Sequence, residues 1–222
     1  MRLTTPTLAI LGLAGMTLTA CSKDDAAATG IELRMEIDKS VLNYRSAGDL
    51  QFTDGHIRIR EVVFDGDRVG GESVSISHER VVTFDFATGL GDPADQVIEI
   101  PAGEYRSVYL GIELQDENND PSLVVTGTYE KADGVAYPIR FEFNSGEVFE
   151  AEAATATVDP GTTAISRITF DPHAWFRPVS YDRLENASVN ADGVIVVSEI
   201  SNAAIFDLVA DGLDMSTEAV FD

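Results

Sequence analysis

The chain contains one cysteine, Cys21, among 222 residues. Neither an intrachain disulfide nor a thiolate metal cluster can form, so a folded domain must be held together by burial. Lysine is nearly absent: Lys23, Lys39 and Lys131 are the only ones, and 15 basic residues face 38 acidic ones for a formal net charge of −23. A surface of that sign repels phosphate backbones, which argues against any nucleic-acid partner. No apolar run approaches the roughly 20 residues a bilayer span requires. The three histidines, His56, His78 and His173, have no spacing that suggests a shared metal. Nucleophile elbows of the Gly-x-Ser-x-Gly type, phosphate-binding loops and dinucleotide fingerprints are also missing. Carboxylates are so abundant that a hydrolytic pair could be drawn anywhere, and their presence alone identifies no hydrolase.

What is present begins at the N-terminus. Arg2 precedes an apolar stretch over residues 8–18 that Gly12 and Gly15 interrupt, the pattern of a secretory signal. Leu18-Thr19-Ala20-Cys21 then resembles the bacterial lipobox, whose cysteine receives a diacylglyceryl group. The resemblance implies a lipoprotein signal peptide over residues 1–20, lipid attachment at Cys21, and a flexible tether over residues 21–30. An ordinary signal peptide with a chance cysteine is the simpler alternative. Acyl chains anchor at about 0.8 kcal/mol per buried methylene, so the membrane becomes a partner through lipid and not through a helix. Ser22 directly after the cysteine is similar to lipoproteins released to the outer membrane, and Lys23-Asp24-Asp25 resembles the surface-export signal of Bacteroidota lipoproteins. The expected location is the outer membrane, facing either the cell surface or the periplasm.

From Ile31 onward the dominant hydrophobic period is two. Ile31, Leu33, Met35 and Ile37 alternate with Glu32, Arg34, Glu36 and Asp38, as in a half-buried strand. The same alternation runs through Val82, Phe84 and Phe86, through Val108, Leu110, Ile112 and Leu114, through Tyr137, Ile139, Phe141 and Phe143, and through Ile168 and Phe170. Ile57 and Ile59 fall out of step with Val62 and Phe64, which predicts a bulge near Glu61. Asp65-Gly66, Gly70-Gly71, Pro101-Ala102-Gly103, Asp133-Gly134 and Asp159-Pro160-Gly161 read as turns. The segments flanking Asp133-Gly134 predict a hairpin. Short strands without intervening amphipathic helices predict a mainly β, antiparallel β-sandwich, organised as one domain over residues 31–222. A helical C-terminal extension is expected from about residue 172, with Asp171-Pro172 and Asn202 starting short helices. Val194, Val196 and Ile200 predict a last strand.

Ile98-Glu99-Ile100-Pro101-Ala102-Gly103-Glu104-Tyr105, followed by an alternating strand, resembles the hairpin of prealbumin-like sandwich modules. With Val125-Thr126-Gly127-Thr128-Tyr129, residues 138–143 and the segment from Phe170 to Phe176, the chain is similar to uncharacterised Bacteroidota surface lipoproteins. That resemblance implies a prealbumin-like or Greek-key fold and an envelope address, and brings no catalytic residues with it.

Asp116, Asn118 and Asp120 follow the D-x-N-x-D spacing of calcium loops, although Pro121 and Gly127 stand where an EF-hand needs Gly and Glu. They are the candidate calcium ligands, with a solvated acidic turn as the alternative. Trp175 beside Phe176 reads as a core anchor, or otherwise as a platform for a sugar. The expected function is that of a non-enzymatic binding module for a protein or glycan ligand. The competing expectations are a hydrolase acting on polysaccharide or ester, and a structural adhesin or assembly subunit.

Overall fold

A computed structural model describes residues 29–43, 48–94, 96–213 and 217–221. The expected signal peptide, Cys21 and the tether up to residue 28 lie outside these residues. The last two tether positions already belong to the folded part: Thr29 Oγ1 accepts a hydrogen bond from Gly161 N at 2.7 Å, and Gly30 pairs with Thr163 as the first residue of a strand.

The described residues form fourteen strands and three short helices, arranged as two sheets. In the first, β1 (Gly30–Ile37) lies between β12 (Thr163–Phe170) and β6 (Val97–Glu99), and β14 (Thr217–Phe221) flanks β12. The alternation read from the sequence puts Ile31, Leu33, Met35 and Ile37 in the core. Fully burying each such side chain contributes about 1.5–3 kcal/mol, which fixes which face of the strand turns inward.

The second sheet is organised by β3 (Asp49–Arg68), a 20-residue strand. Along one edge it pairs first with β8 (Leu123–Glu130) and then with β7 (Gly103–Leu114). Along its other edge lie β2 (Val41–Asn43) and β4 (Val74–Asp85), and β4 carries β5 (Gly91–Asp92). Beyond β8 come β9 (Ala136–Phe143) and β13 (Ile195–Val197), while β7 carries β10 (Val148–Ala153) and β11 (Ala156–Val158). The predicted bulge is present, as the register of β3 shifts between Ile59 and Glu61 against both β4 and β7. This shift lets Ile57, Ile59, Val62 and Phe64 all reach the interior. The predicted hairpin is also present, with Leu123 opposite Phe143 and Tyr129 opposite Tyr137. Phe170 at the end of β12 meets Phe149 of β10 at 5.1 Å between ring centroids, so side chains of the two sheets interdigitate in one core.

The protein is mainly β, with its sheets packed as a sandwich. Antiparallel pairing dominates, but β1 with β12 and β9 with β13 run parallel. The long intervening chain between β1 and β12 permits this without a crossover helix. Three local expectations differ. The Pro101-Ala102-Gly103 turn is not a hairpin: β6 pairs with β1 while β7 pairs with β3, so the turn carries the chain from one sheet to the other. Asp65-Gly66 is not a turn but lies inside β3, opposite Ser75 and Val74. The strand expected around Val194, Val196 and Ile200 is present as the short β13, but it spans only Ile195–Val197, with Ile195 and Val197 buried and Ile200 97% exposed beyond it.

The helices are α1 (Pro172–Phe176), α2 (Tyr181–Glu185) and α3 (Ala203–Ala210). Asp171 caps α1 as expected, accepting hydrogen bonds from His173 N and Ala174 N. Asn202 precedes α3 but does not cap it. It takes φ 49°, and its amide donates to Ser188 O and Val196 O, stitching α3 to the preceding loop.

Candidate functional site

Polar side chains line up across the outer face of the second sheet. The strand registers place Ser75, Asp65, Tyr109 and Glu152 in one row across β4, β3, β7 and β10. The inward neighbours on these strands, Phe64, Val108 and Leu110, belong to the core, and strand alternation therefore turns the row to solvent. Together with Asp67 and Ser107 the row lines an open cleft of about 640 Å³. Tyr109 donates its hydroxyl to Glu150 at 2.9 Å. A Cβ at Gly111 would stand 3.3 Å from the Tyr109 hydroxyl oxygen and 3.4 Å from its ring carbon Cε1, so the tyrosine lies close over this glycine.

Charge in the cleft is mostly negative. Asp67 holds Arg106 through two hydrogen bonds of 2.7 and 3.2 Å, and this contact keeps the Asp67 carboxyl below its ordinary range. The Tyr109 phenol is pushed up, first by burial and then by its bond to Glu150 and the charges of Glu150, Asp65 and Glu152. It therefore stays a protonated donor at neutral pH. An aromatic ring with a committed hydroxyl, flanked by serines and carboxylates, can hydrogen-bond a polyhydroxyl or cationic ligand. Ser73 donates its hydroxyl to Asp67 Oδ1 at 3.2 Å at the edge of the cleft.

A second cluster forms where β1 and β12 end side by side. Ile37 and Phe170 are in register, and Asp38 N donates to Phe170 O at 2.8 Å, which brings Asp38 next to Asp171. The first turn of α1 adds His173. Among the described residues, Asp38, Asp171 and His173 form a group whose ligand atoms all lie within 4.8 Å of one another. Ser40 Oγ lies 3.3 Å from His173 Nδ1, and Asp171 Oδ1 lies 3.6 Å from the same nitrogen. A serine-protease-type relay needs serine and aspartate on opposite ring nitrogens. Here both face one side of the imidazole, and Nε2 is buried with no partner among the described residues.

The residues singled out from sequence are dispersed. Asp116, Asn118 and Asp120 lie in the loop between β7 and β8, all exposed, and Asp120 N donates to Asn118 Oδ1 at 3.4 Å. Trp175 is fully buried, 6.4 Å from Phe149 and 6.3 Å from Phe170, which makes it a core anchor and not a sugar platform. His56 and His78 are half-buried on β3 and β4. Sequence reading missed the cleft and the Asp38–Asp171 pairing. The signal for the first was the outward set Ser107, Tyr109 and Gly111, whose polar register with Asp65 depends on strand pairing; the second depends on two parallel strands far apart in sequence.

Compared with known proteins, the chain matches no family model, no curated protein and no solved structure. The two clusters are therefore interpreted from their own geometry.

Proposed function

We propose that this chain is an envelope lipoprotein, anchored to the outer membrane through acyl chains on Cys21, whose β-sandwich serves as a non-enzymatic binding module for a protein or glycan ligand. The lipobox-like segment supports the address. The observation that supports binding is the row of Ser75, Asp65, Tyr109 and Glu152 along an open cleft built on paired strands. The single-sided contacts of His173 weigh against the hydrolase alternative, because they leave Ser40 without a relay.

The test uses full-length protein in detergent against arrays of envelope glycans and peptides. Tyr109→Ala removes the ring, and Asp65→Asn with Glu152→Gln removes charge, all on a solvent-facing surface. Binding that falls at least tenfold in these variants while the melting temperature holds supports the reading. Binding that persists unchanged in all of them rejects the cleft as the recognition surface.

A further inference from the structure

We propose that Asp38, Asp171 and His173 form a binding site for one zinc ion, a site independent of the cleft around Tyr109. Zinc is bound by imidazole nitrogen and carboxylate oxygen at about 2.0–2.2 Å, so the ligand atoms of a tetrahedral site stand roughly 3.4 Å apart. The distances already present approach that spacing: 3.6 Å from His173 Nδ1 to Asp171 Oδ1 and 3.3 Å from the same nitrogen to Ser40 Oγ. The three candidate ligands lie within 4.8 Å of one another and need only small shifts to converge.

The ligands are also held in place. Asp171 is fixed by the N–H groups of His173 and Ala174. Asp38 accepts from Ser40 N at 2.8 Å. The His173 side chain is only 8% exposed, and its ring packs 6.0 Å from that of Phe52. Nδ1 of this buried ring is turned toward Asp171 and Ser40, on the side where the three candidate ligands gather. Among the described residues neither Asp38 nor Asp171 forms an ion pair with lysine or arginine, so their combined charge of two is available to a divalent cation. The imidazole selects zinc over calcium or magnesium, which take oxygen ligands. Three protein ligands leave a fourth position, which Ser40 Oγ or water can fill.

The experiment titrates metal-stripped full-length protein in detergent with zinc by calorimetry, and with cobalt(II) followed by its visible absorption. Wild type should bind one zinc per chain and give the intense cobalt spectrum of a tetrahedral site. Asp38→Asn lies on an exposed loop and keeps an oxygen for Ser40 N, and it should weaken zinc at least tenfold without a change in fold. His173→Gln should abolish the cobalt spectrum, while His78→Gln should leave both signals intact. Should His173→Gln fail to fold, Asp38→Asn alone decides. Absence of stoichiometric zinc binding in wild type, binding unaltered by Asp38→Asn, or loss in His78→Gln would each overturn the site.

Discussion

The ring of Tyr105 lies directly over Gly66: a Cβ on Gly66 would stand 2.6 Å from the ring carbon Cδ1. The same tyrosine stands edge-on to Phe64, with ring centroids 5.6 Å apart at 89°, and donates its hydroxyl to Pro101 O at 2.6 Å. One side chain thus ties the sheet-to-sheet crossing at Pro101 to the C-terminal end of β3. Gly66→Ala should destabilise by about 1–3 kcal/mol, the usual cost of overpacking. Tyr105→Phe should lose about 1 kcal/mol with its hydrogen bond. In a Tyr105→Ala background the Gly66→Ala penalty should shrink but persist in part, because the same Cβ also stands 2.8 Å from Phe64 Cε1; denaturant midpoints of the four proteins measure the coupling. Simple additivity would show that the two sites do not touch.

His56 gives a pH dependence of definite sign. Burial lowers its pKa, and Arg140 lowers it further, against opposing contributions from Asp85 and Asp54. The folded protein therefore binds this proton less tightly than the unfolded chain, whose value is near 6.5. The stability it contributes is fully present above that value and is lost as pH falls through the folded pKa. His56→Gln should flatten the decline in melting temperature between neutral pH and about pH 5. An equal decline in wild type and His56→Gln would remove His56 as a source of acid sensitivity.

The loop carrying Asp116, Asn118 and Asp120 is exposed throughout. Neutralisation of bunched carboxylates by any divalent ion should raise stability slightly. Calcium and magnesium at equal millimolar concentration are accordingly expected to raise the melting temperature by the same amount. A calcium-specific rise that disappears in Asp116→Asn with Asp120→Asn would instead make the loop a calcium site, worth about 2.7 kcal/mol at a hundredfold excess over Kd.

Strand content was legible because burial on one face enforces period two: the apolar residues show it in β1, in β9 and in β7 from Val108 onward, while the phase of β7 breaks between Tyr105 and Val108. The bulge at residues 59–61 was legible for the same reason, as a break in phase. Pairing was not, since alternation says which face is buried but not which strand lies alongside. β6 and β7 are consecutive yet belong to different sheets, while β1 and β12 are remote yet adjacent. Gly66 shows the same limit: Asp-Gly reads as a turn until the Tyr105 ring above it explains the missing side chain. Both candidate sites are products of pairing, with Tyr109 meeting Asp65 and Asp38 meeting Asp171 only once the strands are in register.

In the proposed function the β-sandwich is held at a membrane by lipid on Cys21. Its most direct test is expression of wild type and Cys21→Ala in a lipoprotein-exporting bacterium with labelled palmitate, followed by membrane fractionation. Wild type should carry label and sediment with the outer membrane, and Cys21→Ala should carry none and leave the membrane fraction. Unlabelled wild type, or Cys21→Ala retained in the membrane, would contradict lipid anchoring at Cys21.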